Sequence, residues 1–320
     1  MNSHHRRIIA GICSIVALVC AGGGYVAWAM AGNEQPATQA AAEAGPGTLV
    51  FLDRDRTLAQ VPVTDAGAAP VRRARTCLRA YTAGGTTVCL RTVAVPAGFE
   101  AAFLRGDKEM AEPVRIDGTP SRARVSPSGR LAAWTVFRSG DSYDPGGFAT
   151  TTGIYDTVSG TLHGSLEDFS VVVDGRPYQR EDRNFWGVTF AADDRTFYAT
   201  MGSGGRIWLL RGDLATRRLT AVTRDVECPS LSPDGTRIAY KKRTGPRWRL
   251  HVMDLGTGRE TPLAERAEVD DQAAWVDGAT VAYARPDGGG RVSLFAVPAD
   301  GTGAPRLLRR DATSPAVLHE

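Results

Sequence analysis

Three carboxylates offer the chain its best chance of chemistry: Glu227 and the adjacent pair Asp270-Asp271. Two carboxyls about 5 to 10 Å apart across an open cleft can divide general acid and general base roles at a glycosidic or peptide bond. Tied to arginine or lysine, the same groups do structural work instead. Arg122 and Lys241 are the matching cations, and Asn184, Trp186 and Gln272 add hydrogen-bonding and stacking capacity. Other chemistries lack their residues. Beyond residue 33 only His163, His251 and His319 remain, far apart in the chain, so neither a Ser-His-Asp set nor a zinc cluster is expected. Gly202-Ser203-Gly204-Gly205 does not follow the G-x-S-x-G pattern and reads as a hairpin turn. Asp141/Asp144 and Asp270/Asp271 supply oxygens for calcium but not the spacing of a known loop. The expectation is no catalytic set, no metal and no cofactor.

The elements that would position these residues are repeated. Residues 227–265 read as four short strands: 229–231, the turn Ser232-Pro233-Asp234-Gly235, then 237–241, 248–254 and 260–264. Proline pre-sets φ, aspartate bonds the backbone two residues on, and glycine accepts positive φ, so the tetrapeptide is a turn with a mechanism. Val125-Ser126-Pro127-Ser128-Gly129-Arg130 is a second copy. Ala192-Asp193-Asp194-Arg195 is a third, with Asp194 in the glycine position, and Trp275-Val276-Asp277-Gly278 is a shortened fourth. Asp194, Gly235 and Gly278 are spaced by 41 and 43 residues, the period of a four-stranded propeller blade, whereas Gly129 to Asp194 is 65. The blade starting near Ser121 therefore carries an insertion.

Six blades follow, over 49–73, 77–116, 122–173, 185–222, 227–264 and 272–308. The first lacks an inner strand, and residues 314–318 have no blade of their own. Placing that tail beside 49–52 closes the ring and leaves no open sheet edge. The expected fold is an all-β six-bladed propeller of four-stranded antiparallel blades over 48–320, closed by the C-terminal strand.

These residues resemble the TolB-like, WD-repeat-like β-propellers, whose blades carry S-P-D-G between the first and second strands. The resemblance is strongest over 184–264, with Asn184-Phe185-Trp186-Gly187-Val188-Thr189-Phe190 and Glu227-Cys228-Pro229-Ser230-Leu231-Ser232-Pro233-Asp234-Gly235, and degenerate in the first two blades. It departs from TolB itself, because Thr48 leads directly into a blade and leaves no room for an amino-terminal α/β domain. The resemblance implies the fold, a periplasm-like compartment, and partners that are proteins, peptides or sugars; fold by itself assigns no function.

In such a disc the S-P-D-G turns lie on a lower face. The loops leading into inner strands and those joining second to third strands lie on an upper face. The upper face gathers Arg122, Asn184, Trp186, Glu227, Asp270, Asp271 and Gln272, together with two elaborate loops, 138–153 and the Lys241-containing 241–248. Acids facing a basic loop and aromatic rings make a polar cup for a peptide end, a sugar or a partner's loop. The competing expectation is that these ring-entry charges are merely solvated or pair between blades. Residues 168–183 begin as the outer strand of the third blade and continue as a charged cover over a blade edge, while Trp134, Trp208, Trp248 and Trp275 serve blade-to-blade packing.

Residues 8–33 carry no charge and follow Arg6-Arg7, long enough for a membrane helix. An uncleaved anchor over 1–33 fits the length; Ala29-Met30-Ala31 keeps open a cleaved signal peptide. Either way the positive-inside rule puts later residues outside the cytoplasm. Residues 34–47, rich in Ala, Gln, Gly and Pro, form a tether. Cys77 and Cys89 flank the hairpin turn 82–86, so neighbouring strands bring them to disulfide distance, as an exported domain allows. Cys228 is left unpaired and reads as a small buried residue. A net charge of +3 exerts no overall pull on nucleic acid. The partner expected is an envelope protein, peptide or glycan.

Overall fold

The computed structural model describes residues 45–138 and 149–319. The expected anchor over 1–33, most of the expected tether, and Asp141/Asp144 fall outside the described residues. Among the described residues no helix is long and apolar enough to cross a membrane.

Alternating apolar residues build six sheets, antiparallel but for one added strand, and the only helical elements described are the 3-10 turns Val63–Asp65 and Leu166–Asp168. From the axis outward, blade one is Thr313–Val317, Thr48–Leu52, Thr57–Pro62 and Val71–Thr76. Its inner strand is the C-terminal one, with Leu49 opposite Val317 and Val50 opposite Ala316, so both chain ends close the ring as the sequence led us to expect. Blade two is Arg79–Ala83, Thr86–Val93 and Gly98–Arg105, with Lys108–Glu109 and Val114–Ile116 sharing its outer edge. Blade three is Thr119–Val125, Leu131–Arg138, Ala149–Asp156 and Thr161–Ser165. Blade four is Asn184–Phe190, Thr196–Ser203, Arg206–Asp213 and Arg218–Arg224. Blade five is Glu227–Leu231, Arg237–Thr244, Arg247–Asp254 and Glu260–Pro262, and blade six Ala274–Trp275, Thr280–Pro286, Val292–Pro298 and Arg306–Arg309.

One expected strand changes blade. Blade three ends at Ser165, where the side chain accepts from the Glu167 N–H while Asp168 accepts from the Ser165 N–H, a reciprocal cap that turns the chain. Ser170–Val173 then runs parallel to Arg218–Arg224 and, with Arg176–Pro177, extends blade four to six strands. The free outer edge of blade four supplies backbone partners that blade three's own edge does not. Pro177 in the last strand removes a donor and blunts the new edge.

The lower-face turns repeat in detail. In blade five the Gly235 N–H donates to Ser232 O at 2.9 Å, the Ser232 N–H to Arg237 O at 2.8 Å, and the Arg237 N–H to Ser232 Oγ at 2.9 Å. In blade three the Gly129 and Ser126 N–H groups repeat the first two bonds at 2.8 Å, and Leu131 N–H donates to Ser126 Oγ at 3.0 Å. Asp194 in blade four occupies the glycine position at φ 49°. A Cβ on Gly84 would lie 2.3 Å from Gly129 N, so the turns of blades two and three touch through backbone alone.

Apolar side chains fill the wedges between blades. Phe103 of blade two stacks on Tyr155 of blade three at 4.3 Å between centroids, and Trp134, Trp208 and Trp275 are each about 5% exposed or less. The disulfide joins Cys77 to Cys89 with Cα atoms 5.4 Å apart, fastening the lead into blade two onto its second strand.

Candidate functional site

Of the upper-face residues, the structure joins Arg122, Lys241 and Asp270 directly, and Asn184, Glu227, Asp271 and Gln272 bond to neighbours outside the expected set. Asp270, on the loop leading into blade six, accepts from Lys241 Nζ of blade five at 2.5 Å and from Arg122 Nη2 of blade three at 3.1 Å. Its side chain keeps 58% exposure, whereas those of Lys241 and Arg122 keep 4% and 11%. Burial opposes ionisation of Asp270, yet Lys241 with Arg122 and Arg79 outweighs it and holds the carboxyl below the usual range. Burial works against the Arg122 charge too, and Cys228, Asp271 and Asp270 beside it raise its pKa nonetheless.

Its neighbours are latches. Asp271, nearly buried, accepts the Ala284 N–H at 2.9 Å. Gln272 donates through Nε2 to Val188 O at 2.9 Å and Pro229 O at 2.8 Å, joining blades four and five to the lead-in of blade six. Asn184 accepts the Thr150 N–H at 2.9 Å, tying blade four to blade three. Glu227, 8% exposed, accepts from Trp248 Nε1 at 2.8 Å. Trp186 is buried against Gly202, where a Cβ would lie 2.9 Å from its ring. Every carboxylate of the expected acid/base group thus has a partner, but only Asp270 finds its partners in other blades; Glu227 and Asp271 bond within their own.

Blades four and five meet where two residues hold positive φ, Gly187 at 66° and Cys228 at 50°. A Cβ on Gly187 would sit 2.7 Å from the Cys228 Cα, so glycine there is what lets the strands approach. The Cys228 N–H donates to Thr200 Oγ1 at 2.9 Å and its thiol is buried and free.

What remains open is a patch above blades five and six. Trp248 is only half-buried, unlike the three packing tryptophans, and Lys241 Nζ and the Arg243 guanidinium lie 4.4 and 4.1 Å from its ring centroid. With exposed Arg243 and Asp270 alongside, it presents an aromatic face, a cation and an anion. The sequence placed Trp248 among the packing rings because it falls beside a strand; the polar loop 241–248 was the signal that it differs.

A second concavity was not anticipated. A groove of about 660 Å³ runs along the added strands of blade four, lined by Arg176, Tyr178, Arg180, Arg206 and Trp208. Tyr178 packs 5.6 Å from Trp208 and shares a hydrogen bond with Ser203, while Arg180 is taken up by Asp182. Strand addition to blade four creates this groove, and no local pattern foretells it. Among the described residues no group of three or more His, Cys, Asp and Glu could hold a metal ion.

No family model matches the sequence, and no curated protein matches it. The fold does have solved likenesses. The chain is similar to TolB from Acinetobacter baumannii, with a TM-score of 0.62 and 17% identity over 85% of this chain and 67% of that one. It is similar also to a chain of the nidogen/laminin complex, with a TM-score of 0.55 and 13% identity over 85% of this chain and 98% of that one. A third likeness is to the tricorn protease, at a TM-score of 0.50 and 12% identity, over 84% of this chain and only 30% of that one. At such identities the likeness defines a class, the TolB-like β-propeller fold, and stops there.

Proposed function

We propose that this chain is a membrane-tethered, extracytoplasmic β-propeller that binds an envelope protein, peptide or glycan as a scaffold and does no catalysis. The observation that carries the binding reading is the Trp248 patch. Tryptophan and arginine dominate interface hot spots because a large ring and a planar cation keep much of their binding surface at low entropy cost, and here Glu227 and Lys241 hold the ring in place. The Cys77–Cys89 bond supports an oxidising compartment, and the uncharged segment after Arg6-Arg7 supports a tether that places the disc there. TolB and the nidogen/laminin complex are propellers of this fold, and the second is by its name a protein complex. The partnered state of Glu227, Asp270 and Asp271 favours binding over the acid/base alternative.

The test is site-specific photocrosslinking in cells from position 243, comparing wild type with Trp248→Ala and Asp270→Ala. Loss of the same crosslinked partner in both variants is expected; an unchanged partner set overturns the patch. Hydrolysis of an envelope glycan or peptide by the purified chain, abolished in Glu227→Gln, would overturn the non-catalytic reading.

A further inference from the structure

Below the latches, the axis of the disc holds a small cavity whose charge is unbalanced. It has a volume of about 20 Å³ and is lined by the inner strands of blades one, two and three and by the lead-in of blade six, including Arg79, Arg122, Arg124, Asp271 and Gln272. One water-sized species needs roughly 10–15 Å³, so there is room for one and no more.

The donors around it are unfilled. Arg124 is 3% exposed; its Nη2 donates to Ala273 O at 3.0 Å and its guanidinium lies 4.1 Å from the Tyr81 ring centroid, but its Nε and Nη1 are buried with no hydrogen-bond partner. Arg122 uses Nη1 on Ser121 and Nη2 on Asp270 and likewise leaves Nε buried and unpartnered. Gln272 Oε1 is the one buried acceptor nearby left open, because its Nε2 is committed to two carbonyls that fix the amide orientation. The charged side chains that line it are Arg79, Arg122 and Arg124 against Asp271; counting Asp270 on Arg122 leaves one cation in surplus, with the Cys228 thiol also beside Arg122. A buried charge left unneutralised is costly, and buried donors on a cation are the most expensive to leave unmade.

We propose that this cavity is a binding site for a single halide-sized monovalent anion, held by Nε of Arg122 and by Nε and Nη1 of Arg124. A water molecule could accept from two of these donors and donate to Gln272 Oε1, yet would leave the surplus charge in place. An anion meets the donors and the charge together. About 20 Å³ open to the centre of a water-sized species suits a small spherical ion. The ion would bridge Arg122 and Arg124 of blade three, beneath the Arg122–Asp270 and Arg124–Ala273 contacts that tie that blade to the lead-in of blade six.

The experiment is anomalous diffraction from crystals of the full-length chain soaked in bromide, with melting temperature measured in bromide against gluconate at constant ionic strength. The expected result is one anomalous peak within hydrogen-bond distance of Arg122 Nε and Arg124. Melting should rise by about 2–5 °C for each tenfold increase in bromide beyond half-saturation, and Arg124→Met should abolish the dependence. A water in the cavity, an absent peak, or equal melting in bromide and gluconate overturns the proposal. If Arg124→Met does not fold, the wild-type crystal and melting curve still decide it.

Discussion

The two faces of this disc obey different rules. On the lower face the turns of blades three and five close mainly on themselves, Ser232, Asp234, Gly235 and Arg237 in one and Ser126, Gly129 and Leu131 in the other, and reach only to the next blade, through Ser128 to Asp194 and Arg237 to Gly278 O. On the upper face the polar groups reach across the ring, Arg122 to Asp270 over 148 residues of sequence and Arg124 to Ala273 over 149. Local bonds repeat because the same four or five residues can make them in any blade. Cross-ring bonds cannot repeat, since each depends on what two different blades place opposite each other. Conserving the blade shape is the task of the lower face, and individuality, including any partner, is left to the upper one.

Three substitutions would break or sharpen this contrast. The largest effect is expected from Gly187→Ala on the upper side, where positive φ and a Cβ 2.7 Å from the Cys228 Cα act together. A loss of about 2–5 kcal/mol in the urea unfolding free energy is expected from the strain and the overlap; a loss below about 1 kcal/mol would show that blades four and five can part at no cost. Gln272→Leu comes next. It strips Val188 O and Pro229 O of their shared donor, and about 2–4 kcal/mol should follow from two orphaned buried carbonyls. Chemical denaturation that shows no change would remove Gln272 from the list of latches.

The smallest effect belongs to the lower face. The Ser232 hydroxyl, outweighing burial and joined by Thr236 and Arg237, holds the Asp234 carboxyl at about 2. A depressed folded pKa stabilises the fold above the ordinary carboxylate value and loses that contribution as pH falls from about 4 towards about 2. Because the side chain is 51% exposed, solvent screening keeps it small. Asp234→Asn should therefore cost less than about 1 kcal/mol at pH 7, and its melting curve should converge on wild type near pH 2. A cost equal to that of Gln272→Leu would erase the distinction between the faces.

Much of the fold was legible in advance, and the reason is visible in particular residues. Ser232-Pro233-Asp234-Gly235 announces a blade because its turn is made within six residues, and the tail 314–318 could be sent to blade one because a four-stranded sheet needs an inner strand. The added strand Ser170–Val173 was legible as a strand but not as a part of blade four, since alternation names no partner. Of the upper-face residues, Arg122, Lys241 and Asp270 meet. Their states were not legible: Asp270 and Asp271 are adjacent in sequence, yet one is largely exposed between two cations and the other is buried under the Ala284 N–H.

By itself, then, the order of residues determined the period, the turns, the number of blades and the strand that closes them, because each rests on contacts within a few residues or on the count of strands. Only the closed ring decided which charges pair, that Trp248 stays open while the four other described tryptophans are buried, and that Arg122 and Arg124 line one small cavity. The Arg122–Asp270 and Arg124–Ala273 contacts depend on distances between residues more than a hundred positions apart, and such distances exist only once the first strand has found the last.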